Sequence, residues 1–219
     1  RIWKETEEAL SASDPHIFFR VLQDCDALRI IFPELDELDN SSKSNSTKMQ
    51  EKFTFEILEH SSNKTNNPAI NFSILIFDIL KTRHKSSNAM QRAHKTLLRE
   101  LKVRLPIPSN FIDVSSLLIQ FKEVIDNATS QSPDSLLTFL ENADAFRRKK
   151  RFEETLEAHK IMSKKNKYAS SIIFIKNIIE ACDAISMKKV IGDESDPKII
   201  KERVRKSRIE AIKSKINTE

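Results

Sequence analysis

Lysine and arginine crowd three places in the last third of this chain, and phosphate binding is the chemistry such clusters can do. The first is the unbroken run Arg147-Arg148-Lys149-Lys150-Arg151, the second is Lys164, Lys165 and Lys167, and the third is Arg203, Arg205, Lys206 and Arg208. A cation that meets a phosphate releases condensed counterions, so a surface built this way binds polyanions in a salt-dependent manner. The competing reading is a set of solvated helix faces with carboxylates nearby, for which Glu153, Glu202 and Glu210 are available. Aromatic rings are sparse here, with Phe146, Phe152 and Tyr168 the nearest. Stacking on bases is therefore not the expected mode; recognition of shape and backbone is. Contacts of that kind fix register without reading bases.

Most other chemistry is excluded by composition. Gly192 is the only glycine among 219 residues. Phosphate-cradling loops, dinucleotide fingerprints and nucleophile elbows need several, because Gly alone takes positive φ without penalty. His16, His60, His84, His94 and His159 are scattered, with no pair one helical turn apart, so no metal ligand is assigned and surface or loop positions are expected for them. Cys25 and Cys182 are too few for a disulfide scaffold or a thiolate zinc site. Both lie in apolar helical stretches, which predicts buried free thiols and a reducing, cytosolic compartment. The carboxylates Glu34, Asp36 and Glu37 read as an exposed, solvated face. No catalytic residue is assigned. The longest apolar run, Phe72–Leu80, is broken by Ser73 and Asp78 and falls well short of the ~20 residues of a membrane span.

The elements that must position the cations are helices. A single glycine argues against hairpins and hence against an all-β fold, and the apolar spacing is helical throughout. Asp14-Pro15, Pro33, Ser132-Pro133 and Asp196-Pro197 read as helix starts, and Pro68 closes the polar loop before Ala69. The expected helices are Ile2–Leu10, Pro15 to about Asp24 with Phe18, Val21, Leu22 and Cys25 inward, Leu28–Phe32, Pro33–Leu38 and Thr47–Ser61. They continue with Ala69–Arg83, Asn88–Leu105, Asn110–Asn127 and Ser135–Asn142, then a long helix to about Met162, Tyr168–Ile185 and a last helix from Pro197. Ala69–Arg83 is apolar nearly all round, as befits a helix in the middle of a bundle. The polar stretches 39–46 and 61–67 are expected to be disordered loops. Residues 1–146 carry 17 Lys/Arg against 21 Asp/Glu, whereas 147–219 carry 20 against 11. The sequence thus describes an all-α protein, an acidic-to-neutral helical body followed by a basic helical tail.

Three stretches taken together resemble a known family. They are Arg1-Ile2-Trp3-Lys4-Glu5-Thr6-Glu7 with Phe18–Cys25 and Phe32-Pro33-Glu34-Leu35-Asp36, then Leu137–Leu140 with Asp144–Arg148 and Arg151–Glu153, and finally Glu202-Arg203 with Arg208–Ile212. Their order and spacing are similar to the body and tail of bacterial CCA-adding tRNA nucleotidyltransferases, of the form whose body derives from a His-Asp phosphohydrolase domain. The resemblance implies the following organisation: 1–38 ends a neck and starts the body, 39–145 is the helical body, and 146–219 is a basic tail. It implies tRNA as partner, held near its elbow through phosphates, with the three cation clusters as the RNA-binding residues. The catalytic head of the family, with its Mg and CTP/ATP sites, would lie upstream of Arg1, so no cofactor is expected in this chain and the head or neck is a further possible partner. Phe77 stands where the family's paired histidine would be and only Asp78 remains; the upstream metal histidine falls near Phe53 and a later cluster near Lys85–Met90. A degenerate site without metal or phosphodiesterase activity is what this implies. The equivalent region of a bacterial poly(A) polymerase, or a helical scaffold for protein partners, is the alternative.

Overall fold

Proline, whose fixed φ suits a first helical turn and whose missing N–H costs nothing there, opens five helical stretches among the described residues, at Pro15, Pro33, Pro68, Pro133 and Pro197. Side chains complete three of these starts. Asn67 Oδ1 accepts from the amides of Ala69 and Ile70, Ser132 Oγ from the amide of Ser135, and Asp196 Oδ1 from the amide of Lys198. Asp14, expected to do the same, makes no capping bond; its carboxylate accepts instead from Ser13 Oγ at 2.8 Å.

The computed structural model describes residues 1–35, 56–163 and 169–216. Among them all regular structure is helical: α1 (Ile2–Ser11), α2 (Pro15–Asp24), α3 (Leu28–Ile31), α4 (Pro68–Arg83), α5 (Ser87–Arg104), α6 (Ser109–Asp126), α7 (Pro133–Asn142), α8 (Lys149–Met162), α9 (Ala169–Asp183), α10 (Met187–Ile191) and α11 (Pro197–Ile216), with a 3-10 turn at Ala128–Ser130 and helical residues at 33–35 and 56–62. The all-α reading holds. Short α10 and the 3-10 turn were not foreseen. The polar loop at 39–46, Phe53, residues 36–38 of the expected Pro33–Leu38 helix and residues 47–55 of the expected Thr47–Ser61 helix lie outside the described residues. No described helix is long and apolar enough to cross a membrane.

The chain divides into two compact units, residues 1–120 with 153–162, and residues 121–152 with 163–219. The division does not follow the charge break at residue 146, because α6 and α8 each contribute residues to both units.

In the first unit α4 is the central helix, with every residue from Ala69 to Leu80 buried. Its one buried amide, Asn71, is held by the carbonyls of Leu10 and Thr65, which ties α1 and the turn before α4 to the core. Trp3 is only 5% exposed because Phe72 and Phe111 enclose its ring. On α2 the buried face is Pro15, His16 and Phe19, whereas Val21 and Cys25 are exposed. The expected inward stripe was thus turned by about one residue, and Cys25, at the helix end, is not a buried thiol. Residues 61–67 are not a featureless loop either. Ser61 and Ser62 are buried, and the Ser61 carbonyl accepts from the amides of Lys64 and Thr65.

In the second unit the buried rings of Phe121, Phe139 and Phe152 meet in series, edge to face and tilted, with adjacent centroids 5.0 and 5.6 Å apart. Around it α11 packs on α7, α9 and α10. Cys182, buried at 1% exposure, is the expected free thiol, and burial pushes its pKa up to about 11, so it stays protonated and unreactive.

Candidate nucleic-acid interface

The basic run begins at a tight helix end. Helix α7 closes with Asp144 in the left-handed region (φ 53°), its amide donating to the Glu141 carbonyl and that of Ala145 to the Leu140 carbonyl. This paired reversal is the Schellman arrangement, and Asp tolerates the left-handed position better than most residues with a Cβ. The same aspartate organises the cations that follow. Its carboxylate accepts from Arg147 Nε at 3.1–3.2 Å and Nη2 at 2.7 Å, and Arg148 Nε lies 3.5 Å away. The hydrogen bonds from Arg147 hold the Asp144 carboxyl below its ordinary range, and Asp144 in turn raises the Arg147 guanidinium. Asp144→Gly keeps the left-handed turn without strain, whereas Asp144→Ala does not. The glycine variant is expected to melt about 3 °C above the alanine variant in a thermal scan followed by circular dichroism.

Lys149 and Arg151 of the run are similarly engaged. Lys149 Nζ pairs with Asp183 at 2.6 Å, and Arg151 Nη2 donates to the Ala143 carbonyl at 2.7 Å. Lys150 is exposed and has no partner among the described residues. On α11, Arg203 donates to Glu194 and to the Ile191 carbonyl, both at 3.2 Å. Arg205 reaches across to α7, where it bonds Asp134 at 2.8 Å, Thr138 at 3.0 Å and Glu141. Arg208 lies 3.9 Å over the Phe146 ring. Lys206 is exposed and without a partner among the described residues. Lys164, Lys165, Lys167 and Tyr168 lie outside the described residues.

Two of the three clusters therefore share one neighbourhood, since Arg205 and Arg208 stand one turn apart on α11 and meet α7 and the residue just before Arg147. The partners of these cations are not Glu153, Glu202 and Glu210, the nearby carboxylates the sequence offered. They are Asp134, Glu141, Asp144, Asp183 and Glu194, most of them distant in sequence. Only Asp144, three residues before Arg147, carried a local signal. Because Phe152 is buried and Phe146 is covered by Arg208, neither nearby ring is open to a base. Exposed ion pairs contribute little net stability, so carboxylate partners can be exchanged for phosphates at small cost. The second unit as a whole has 20 Lys/Arg against 13 Asp/Glu; the first has 17 against 19.

Within α4, Phe77 and Asp78 are buried at 6% and 3% exposure. Among the described residues no group of three or more His, Cys, Asp or Glu side chains comes together as a metal site would require. Surface positions for the histidines were wrong for three of the five: His16, His94 and His159 are buried. Glu34 is likewise no solvated carboxylate. It is 8% exposed and paired with Arg104, and its carbonyl accepts from Arg83; Asp36 and Glu37 lie outside the described residues.

His94 Nε2 sits 3.0 Å from Ser115 Oγ, and burial, helped by Lys95, lowers its pKa to about 4. The folded state thus binds its proton less tightly than the unfolded chain, whose histidine titrates near 6.5. The stabilisation is complete above about pH 6.5 and is lost as the pH falls toward 4. His94→Gln, which can keep the bond to Ser115, is expected to flatten the pH dependence of urea unfolding between pH 6.5 and 4 relative to the unchanged chain.

No family model matches the chain, and no solved structure matches it. Curated relatives do. A Multifunctional CCA protein of Haemophilus influenzae is 28% identical over 97% of this chain and 56% of its own length. One of Psychromonas ingrahamii is 26% identical over 97% and 55%, and a CCA-adding enzyme of Coxiella burnetii is 28% identical over 99% and 50%. The chain spans about half the length of these relatives. The resemblance seen in the sequence therefore holds: over nearly its whole length the chain is similar to about half the length of bacterial CCA-adding proteins, as the C-terminal portion of such a protein would be.

Proposed function

We propose that this chain is the tRNA-holding portion of a CCA-adding enzyme, gripping the elbow of the tRNA through phosphate contacts while nucleotide addition is performed by a head outside the chain. The observation that carries the reading is the likeness to CCA-adding proteins across nearly the whole chain, together with a second unit whose excess of cations gathers at the α7–α8 turn and on α11. Lys150 and Lys206 are immediately available to phosphates. Arg147, Arg148, Lys149 and Arg203 reach them by exchanging carboxylate partners, and Arg151, Arg205 and Arg208 act from the same neighbourhood. Lys164, Lys165 and Lys167 belong to the same basic segment. The body is a degenerate His-Asp domain in this reading: Asp78 is buried in α4 beside Phe77 and serves the fold rather than a metal.

The test is the affinity of the chain for deacylated tRNA and for an unstructured RNA of equal length, measured across a salt series. Preference for tRNA with a steep salt slope is expected. Equal affinity for the two RNAs would remove the elbow-holding role and leave a non-specific polyanion surface, and absence of binding to either would end the RNA reading.

A further inference from the structure

An open groove of about 500 Å³ lies on the first unit between α5 and α6. One wall carries Lys95, Arg99 and Lys102, at positions i, i+4 and i+7 of α5, so their side chains form one row along the helix. All three are exposed, and none has an ion pair or hydrogen bond among the described residues. They differ in this from most of the cations around the α7–α8 turn, which carboxylates already hold. The unit around them is slightly acidic overall, so this row is a local concentration of charge rather than part of a general positive surface.

The floor is apolar, made by Leu98 and Ile112, and Val103 stands 85% exposed at the rim. Its polar end is His94, which stays neutral at physiological pH in contact with Ser115. No acidic group and no Phe, Tyr or Trp ring lines the groove. A ligand that fits must be anionic along one edge, needs no stacking partner and tolerates an apolar floor beneath it. The row rises by about 6 Å from Lys95 to Arg99 and about 4.5 Å from Arg99 to Lys102, comparable to the separation of successive phosphates along a nucleic-acid strand.

We infer that this groove binds the sugar–phosphate backbone of an RNA strand, with Lys95, Arg99 and Lys102 on successive phosphates and the sugars over Leu98 and Ile112. It is a second RNA-contacting surface, separate from the cations of the second unit. The choice of RNA as ligand rests on the function proposed above; the free row of cations and the groove do not.

The experiment compares the full chain with Lys95→Ala/Arg99→Ala/Lys102→Ala in the same tRNA and unstructured-RNA salt series. Alanine favours the helix at all three surface positions, and an unchanged melting curve verifies the fold. Loss of three phosphate contacts is expected to reduce the salt slope by about 2 to 3 and to weaken both RNAs, because backbone contacts do not read sequence. Lys95→Arg/Lys102→Arg, which preserves the charges, is expected to retain affinity. If the chain binds RNA and the triple variant binds it unchanged, the groove is not an RNA site while the tRNA reading stands. If tRNA preference is absent but the variant weakens both RNAs, the groove stands and the elbow-holding role falls. A chain that binds neither RNA overturns both, and weakening of the arginine-retaining variant to the level of the alanine variant would assign the effect to packing instead of charge.

Discussion

Replacing Arg147, Arg148 and Lys150 together with alanine is expected to lower the slope of log affinity for tRNA against log salt by about 2 to 3, and to weaken binding by at least an order of magnitude at low salt. Each of these side chains is exposed, and none supports the core, so the melting temperature should stay near that of the unchanged chain. The structure also supplies a converse change. Asp144 now competes with phosphate for Arg147 and Arg148 through three hydrogen bonds and an ion pair. Asp144→Gly removes the competing carboxylate while preserving the left-handed turn, and is expected to tighten tRNA binding several-fold. Tightening by one variant and weakening by the other, in one assay, would identify this turn as a contact. Unchanged affinity in both would move the interface elsewhere on the second unit. Arg205 is a poorer subject for such a test, because its fork joins α11 to three residues of α7 and its loss would loosen the unit itself.

How far the sequence disclosed this arrangement follows from the range of the interactions involved. Helix starts were legible because Pro, and the Ser or Asp before it, act within one turn, and Ser132-Pro133 and Asp196-Pro197 each begin a helix as expected, while Pro68, read as the end of a loop, is itself the first residue of α4. The uniform burial of α4 was legible because a helix apolar on every side has nowhere else to go. The facing of α2 was not. Phe18, Phe19, Val21 and Leu22 offer two overlapping stripes, and packing against α1 and α3 selects the one containing Phe19. Glu34 looked solvated beside Asp36 and Glu37, yet its partner Arg104 is seventy residues away. The cations show the same limit. Their number and position along the chain were plain, but their pairing depends on Asp134, Glu141 and Asp183, which only the folded second unit brings within reach. The α5 row was overlooked altogether, because Arg92, Lys95, Arg99 and Lys102 read as the ordinary polar face of an amphipathic helix until the groove beside them is seen.

Trp3→Ala is expected to cost about 3–5 kcal/mol of the first unit's stability, the range for removing a fully buried large aromatic side chain. Trp3 makes edge contacts with Phe72 and Phe111 at centroid distances of 5.7 and 5.0 Å, and those two rings meet each other at 5.8 Å, so the three form a closed cluster among α1, α4 and α6. Removing the indole takes one member from all of its contacts and leaves a cavity against α4, where every neighbour from Ala69 to Leu80 is itself buried and cannot collapse freely. The cluster also contains a flaw. Trp3 Nε1 is buried and finds no acceptor among the described residues. A phenyl ring keeps most of the apolar contact and has no polar atom to leave unsatisfied, so Trp3→Phe is expected to fall within about 1 kcal/mol of the unchanged chain. Urea unfolding followed by far-ultraviolet circular dichroism separates the two variants. In the unchanged chain the emission of Trp3, its only tryptophan, reports the same transition by shifting to the red. Equal losses in the two variants would mean that the indole N–H has a partner worth keeping; a small loss in both would mean that the three-ring cluster does not hold α1 to the body.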